Sequence, residues 1–143
     1  MEELDQIVFY SLEKAIKLYR QFAQRRLNQH GFDITIDQWL ILTAVRDQPD
    51  WTQQQIAKTV FKDVASVTRM IDLLVKKQYL TRIGNSDDRR RFTLTLTDTA
   101  RQLLDAMQPV IVNNRQCALQ NLDEQQLTHL QNMLHLLIKN CQS

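Results

Sequence analysis

The chain has 143 residues, enough for one domain with a single core, and its 43% hydrophobic and 24% charged residues exclude a disordered chain. Glycine and proline contribute two residues each, which favours a mainly helical fold. The net charge is only +2, but residues 52–97 hold nine basic and four acidic residues, leaving −3 for the two ends. A basic centre of this kind predicts a polyanion-binding module, and a solvated charged face is the alternative.

Several classes of protein are excluded by what the sequence lacks. Cys117 and Cys141 have no metal-like spacing and are too few for a disulfide framework. The acidic segment 1–6 does not resemble a signal peptide, and no apolar run approaches the roughly 18 residues that span a membrane. We therefore expect a cytoplasmic protein without a membrane partner, cofactor or metal.

The first part of the chain predicts two helices. Residues 2–29 carry apolar side chains spaced alternately four and three apart, a roughly heptad stripe, and Gly31 is the expected left-handed cap. A capping box from Thr35 to Gln38 opens a second helix, which Pro49 closes.

The centre predicts two further helices in tandem. A capping box at Thr52 opens a short helix that runs to about Val60. Asp63 then caps the helix 64–77, whose buried stripe includes Val67 and Ile71. The residues off that stripe near its start are small or polar: Ala65, Ser66, Thr68 and Arg69.

A two-residue period follows and predicts a hairpin. Residues 80–83 form one short strand and 91–97 alternate cleanly as the second, with turn-forming residues at 84–88 between them. Thr97 or Asp98 then caps a long helix to about residue 121, with a kink expected at Pro109. A last helix follows a capping box at residue 123, with leucines at three-four spacing to Cys141.

This order is that of a winged helix-turn-helix, in which a helix enters the major groove of DNA and a hairpin contacts the neighbouring groove. The expected major-groove residues are Ala65, Ser66, Thr68 and Arg69, and the expected wing residues are Asp88, Arg89, Arg90 and Arg91. We expect Asp88 to orient Arg90, although an ion pair that merely stiffens the turn is the alternative. The expected contacts to the DNA backbone are Thr52, Gln53, Lys62 and Lys76.

Residues 36–104 resemble the MarR family of transcriptional regulators. The resemblance rests on the helix segment 65–74, the lead into the hairpin at 77–82, and Asp88 followed by Arg90 and by the Leu96-Thr97 pair. Gln78 and Ala100 depart from the glycines common at those positions, and at Gln78 we expect a less sharply turned helix end. The resemblance implies one MarR-like domain over 1–143, with dimerisation helices at 1–30 and 98–143 and the winged helix-turn-helix at 36–97.

The resemblance also implies a homodimer that binds pseudo-palindromic double-stranded DNA, usually as a repressor, and that is often released by a small lipophilic or phenolic effector. Candidate pocket residues are four aromatics and two arginines: Tyr10, Tyr19, Phe22, Trp39, Arg46 and Arg82. The alternative is that the aromatics belong to the core, which is favoured for Trp39. The sequence also allows a cysteine-based redox regulator, or a helical module that contacts RNA or protein. The absence of metal-ligand, phosphate-loop and nucleophile motifs argues against an enzyme.

Overall fold

Six α-helices and one hairpin follow each other along the described residues of the chain. The computed structural model describes residues 1–85 and 88–142, with side chains for all of these except 85–91. After a 3-10 turn at Leu4–Gln6, the elements are α1 (Val8–Gln29), α2 (Ile36–Asp47), α3 (Gln53–Thr59), α4 (Val64–Lys76), β1 (Leu80–Asn85), β2 (Asp88–Leu96), α5 (Asp98–Ala118) and α6 (Glu124–Cys141). The predicted mainly helical fold with a two-stranded wing is confirmed.

The predicted helix starts are set by side-chain caps. Complete capping boxes form at Thr35, Thr52 and Asp123. Asp63 and Thr97 each accept a hydrogen bond from the backbone N–H three residues on, at 2.7 Å and 3.1 Å. Such bonds satisfy amides that have no partner inside the helix, so these short local patterns fix where five of the six helices begin.

Two helix ends differ from the sequence prediction. The first helix begins at Val8 and not at residue 2, because Ile7 is extended and has no side chain that caps the helix. The fifth helix passes through Pro109 and ends at Ala118, short of the predicted residue 121. Asn121, between α5 and α6, has a left-handed φ of 71°.

The wing is longer than predicted. Its antiparallel register runs from Leu80 opposite Leu96 to Gly84 opposite Phe92, and then shifts so that Asn85 pairs with Asp88. Pairing therefore extends into the segment predicted as turn, of which Ser86 and Asp87 lie outside the described residues.

The end of α4 corrects the expectation at Gln78. Gln78 adopts a left-handed φ of 64°, and the N–H of Tyr79 bonds to the carbonyl of Leu74 at 2.9 Å. The N–H of Gln78 bonds to the carbonyl of Val75 at 3.0 Å, which completes a Schellman turn. The helix therefore ends as sharply as it would with glycine, because this hydrogen bonding compensates for the left-handed backbone.

The core lies mainly within α2–α4, the wing base and the first part of α5, and Leu27 of α1 and Ile34 join it. Its fully buried members include Ile41, Ile56, Ile71 and Met107. In contrast, α6 has no buried residue, and α1 buries only Ala23 and Leu27. None of the helices in the described ranges is long and apolar enough to cross a bilayer.

Candidate DNA-binding surface

The start of α4 is held by a small polar network. Asp63 accepts hydrogen bonds from the backbone N–H of Ser66 at 2.7 Å and from its hydroxyl at 2.8 Å. The bond from the Ser66 backbone is the main reason that the pKa of Asp63 lies below its usual 3.8. Arg69 donates to the Ser66 hydroxyl oxygen at 3.3 Å, so its guanidinium lies over the first turn of the helix.

One face of α4 is buried in the core, and the residues off that face remain accessible. Val67, Ile71 and Leu74 are completely buried, whereas Ala65 and Arg69 are exposed. All four residues predicted for the major groove lie off the buried stripe, with Ser66 and Thr68 half-buried.

Thr68 and Gln53 join α4 to α3. The Thr68 hydroxyl lies 2.8 Å from the Val64 carbonyl and 3.0 Å from Gln53 Oε1, and it donates its single proton to one of them at a time. The methyl group of Thr68 is therefore the part left to contact a base. The amide nitrogen of Gln53 is buried and has no hydrogen-bond partner among the described residues. Gln53 thus contacts α4 through its Oε1, and its phosphate contact stays a prediction.

The other residues that were predicted to contact the DNA backbone differ in their surroundings. Thr52 is exposed, but its hydroxyl oxygen accepts the capping bond from the Gln55 N–H at 3.2 Å. Lys76 is exposed on α4. The ammonium of Lys62, directly before the Asp63 cap, lies 3.7 Å from Asp37 Oδ2.

The base of the wing is attached to α4. Arg82 in β1 forms an ion pair with Asp72 in α4, and its guanidinium lies 4.8 Å from the centre of the Phe92 ring. Arg82 thus holds the wing and does not line the predicted effector pocket. The side chains of the predicted wing residues Asp88, Arg89, Arg90 and Arg91 lie outside the described residues, although their backbone belongs to β2.

A cavity of about 180 Å³ lies between α1, α2 and α5, and we call it the α1–α5 cavity. Tyr19 and Trp39 contribute aromatic walls, and Arg20 and Arg115 contribute positive charge. Asn114 also lines it, is only 1% exposed, and has a carboxamide oxygen without a partner among the described residues. The remaining lining residues are Ile16, Ala23, Leu27, Ile36, Leu40 and Ile111.

The structure brings together only two of the six predicted pocket residues. Tyr10 lies on another face of α1, and Phe22 packs under the Arg26 guanidinium at 5.4 Å. Arg46 forms an ion pair with its neighbour Asp47 at 2.9 Å. Arg46 and Arg82 do not line the α1–α5 cavity, and the arginines that line it are Arg20 and Arg115.

Sequence reasoning missed Arg20, Arg115 and Asn114 as cavity residues. For Asn114 a signal was present, because it is a polar residue within the apolar stripe of α5. Arg20 gave no such signal, since its partner Asp37 is 17 residues away and lies on another helix.

Comparison with known proteins assigns the chain to a family. The model of the MarR family matches residues 34–92. An uncharacterized HTH-type transcriptional regulator of Bacillus subtilis (strain 168), YhbI, is 31% identical over 108 residues, which cover 76% of this chain and 70% of the relative. The chain belongs to the MarR family. It is therefore a MarR-type transcriptional regulator that binds DNA, and proteins of this family are generally not enzymes.

Solved structures of MarR-type regulators share the fold. BpsR of Bordetella bronchiseptica, whose DNA binding is regulated by 6-hydroxynicotinic acid, is 23% identical with a TM-score of 0.85 over 96% of both chains. A mutant of MarR from E. coli complexed with operator DNA is 26% identical with a TM-score of 0.78, covering 96% of this chain and 99% of that one. The winged-helix architecture of this chain is thus that of MarR regulators.

The two cysteines are free thiols. Within the single chain Cys117 is half-buried and Cys141 is exposed. The thiol of Cys117 lies 3.6 Å from Asn113 Oδ1. Within the described part of the chain, no cluster of three or more potential metal ligands occurs.

Proposed function

We propose that this MarR regulator is a cytoplasmic repressor that binds a pseudo-palindromic operator as a homodimer. The observation that carries the proposal is the start of α4, where the Asp63 cap fixes the first turn and where Ala65 and Arg69 are exposed, with Ser66 half-buried between them. A helix presented in this way fits the major groove. The operator complex of the E. coli relative supports the same mode of binding.

Each predicted contact has a chemical reason. The Arg69 guanidinium donates two parallel hydrogen bonds to the acceptor edge of a guanine, and the methyl groups of Ala65 and Thr68 suit the methyl of a thymine. Arg90 inserts into the minor groove, where the negative potential is enhanced, while Arg89 and Arg91 contact phosphates. Further phosphate contacts come from three residues around the helix-turn-helix: Thr52, Lys62 and Lys76.

The operator is the first test. Two α4 helices related by a two-fold axis lie about 34 Å apart when they occupy successive major grooves, so footprinting should return an inverted repeat. Gel shifts that compare genomic duplex DNA with RNA separate this function from the interaction-module alternative. A single asymmetric half-site, or tighter binding to RNA, argues against the proposal.

The dimer accounts for helices that a single chain leaves uncovered. No residue of α6 is buried, and Leu130, Met133 and Leu136 are each more than a third exposed. A mostly apolar cleft of about 790 Å³ opens between α1, α5 and α6, and Leu130 and Leu134 line it. Apolar surface of this extent suits an obligate interface made by the terminal helices.

Charge placed on that surface tests the dimer. Replacing Leu130 and Leu134 with Asp should split the dimer and unfold the protein, as measured by analytical ultracentrifugation and circular dichroism. The matched control is Phe61→Asp, because Phe61 is 88% exposed in the turn between α3 and α4. We expect the control to stay dimeric, and a folded wild-type monomer at micromolar concentration would contradict the dimer.

The α1–α5 cavity supports a small aromatic anion as effector. Its volume of about 180 Å³ is close to that of the roughly 150 Å³ apolar cavity that admits benzene. Two arginines supply charge for a carboxylate, and the unpaired oxygen of Asn114 favours a ligand with a hydroxyl or N–H donor. The regulation of BpsR by 6-hydroxynicotinic acid supports this class of ligand.

A thermal-shift screen of aromatic carboxylates with and without a hydroxyl group tests the effector. We expect the hydroxylated members to stabilise the protein more, and Asn114→Leu to remove that preference while weakening the response to the plain acids less. An equal response to both series in the wild type would contradict the role of Asn114.

A further inference from the structure

One carboxylate links the α1–α5 cavity to the DNA-binding surface. Asp37, in the first turn of α2, accepts a hydrogen bond from the guanidinium of Arg20 at 2.5 Å through Oδ1. Its other oxygen, Oδ2, lies 3.7 Å from the ammonium of Lys62. Arg20 lines the cavity, whereas Lys62 shares a surface groove with Ser66 and Arg69 of α4.

The two partners of Asp37 compete for one negative charge. The contact with Arg20 is short and the contact with Lys62 is long. In the free protein the Asp37 carboxylate therefore pairs mainly with Arg20. Lys62 is 44% exposed and lies directly before the cap of α4, where its ammonium is available to a DNA phosphate. A group that binds Arg20 in place of Asp37 leaves the Asp37 carboxylate free to pair with Lys62. That pairing lowers the attraction of Lys62 for DNA.

We propose that Asp37 couples the α1–α5 cavity to DNA binding. An aromatic carboxylate that pairs with Arg20 releases the Asp37 carboxylate to pair with Lys62, and this weakens the binding of the protein to DNA. This proposal rests on the proposed DNA contact of Lys62 and on the proposed occupant of the cavity. The coupling is reciprocal. When a DNA phosphate pairs with Lys62, the Asp37 carboxylate pairs with Arg20 alone, and Arg20 is then less available to the ligand.

Removal of Arg20 imitates the ligand and provides the main test. Arg20→Met should weaken binding to a random-sequence duplex about two- to fivefold at fixed salt, the range expected from a partly exposed ion pair. Asp37→Asn should instead tighten binding, because Lys62 is then free. The double variant should bind as Asp37→Asn does. Fluorescence anisotropy with a labelled duplex of about 30 base pairs, long enough for two half-sites one helical turn apart, measures all four proteins, and thermal melting checks that each is folded.

A matched control separates this coupling from a simple loss of positive charge. Arg25 lies on the same helix, is exposed and carries the same charge. Arg25→Met should therefore have the same small effect with Asp37 or with Asn at position 37. If Arg20→Met weakens binding equally in both backgrounds, Asp37 does not couple the two sites. If the wild type binds no duplex at all, the proposed function fails and not the coupling.

A second experiment adds 4-hydroxybenzoate, which combines one aromatic ring, a carboxylate and a hydroxyl donor. It should release duplex from the wild type and from Arg25→Met, but not from Asp37→Asn, although calorimetry should show that Asp37→Asn still binds it. Release from Asp37→Asn equal to that from the wild type would overturn the coupling. Absence of any effect on the wild type would overturn the assigned class of ligand, and the variant cycle would still decide the coupling.

Discussion

Replacement of Thr97 by Val should lower the stability of the winged domain by about 2 kcal/mol, the sum of two lost hydrogen bonds. The Thr97 hydroxyl oxygen accepts the N–H of Ala100 at 3.1 Å at the start of α5, and the same hydroxyl donates to the Gln78 carbonyl at 2.7 Å. Loss of an N-cap costs about 1 kcal/mol, and loss of a hydrogen bond to a backbone carbonyl costs about 1 kcal/mol more. Valine keeps the shape of threonine, so little of the change comes from packing.

Urea unfolding at one protein concentration measures this loss, since the stability of the proposed dimer depends on concentration. Thr97→Ser keeps the hydroxyl and should stay close to the wild type. Thr95→Val makes the same chemical change at an exposed position of β2, two residues earlier, and should alter stability by less than about 0.5 kcal/mol. A Thr97→Val protein as stable as the Thr95→Val control would refute the view that one hydroxyl joins the end of α4 to the start of α5.

Three further predictions concern the DNA-binding surface. Arg69→Ala should cost roughly 1–3 kcal/mol on the operator and much less on random DNA, and equal losses would make Arg69 a phosphate contact. Because the pKa of Asp63 is lowered, its carboxylate stabilises the fold above pH 3.8 and this stabilisation is lost as pH falls through the lowered value. Asp63→Asn, which keeps a capping oxygen, should therefore lose less stability in acid than the wild type. In the wing, Asp88→Ala should weaken operator binding at fixed salt, Arg90→Ala should weaken it more, and the double variant little further; tighter binding by Asp88→Ala would show that the arginines act by charge alone.

The sequence predicted those parts of the fold that depend on residues only a few positions apart. The cap residues Thr35, Thr52 and Asp63 lie three positions before the amides they bind, so their patterns are visible in the sequence. Gln78 shows the limit of that approach. Its side chain suggested a loose helix end, but two backbone hydrogen bonds compensate for the left-handed φ of 64°.

The cavity was less predictable because its residues meet only through packing. Tyr19 and Trp39 were predicted as candidate aromatic walls, but the two arginines that accompany them were not. Arg20 is one of several arginines in α1, and nothing local distinguishes it from Arg25. Only the crossing of α1 over the start of α2 selects Arg20 as the partner of Asp37.

Polar contacts attach α1 to the rest of the chain, and this suits a helix that has more than one role. It buries only two residues, and its guanidinium groups connect it to α2 through Asp37 and to α5 through Asn113, which accepts from Arg26 at 2.7 Å. Polar contacts of this kind exchange partners at lower cost than a packed apolar interface does, because water or a ligand replaces the lost bond. In the proposed dimer, α1 contributes to the interface and also lines the α1–α5 cavity, and its exchangeable polar contacts allow it to shift relative to α4. In this arrangement the identity of the charged groups around Asp37, more than the volume of the cavity, determines whether an occupant of the cavity alters DNA binding.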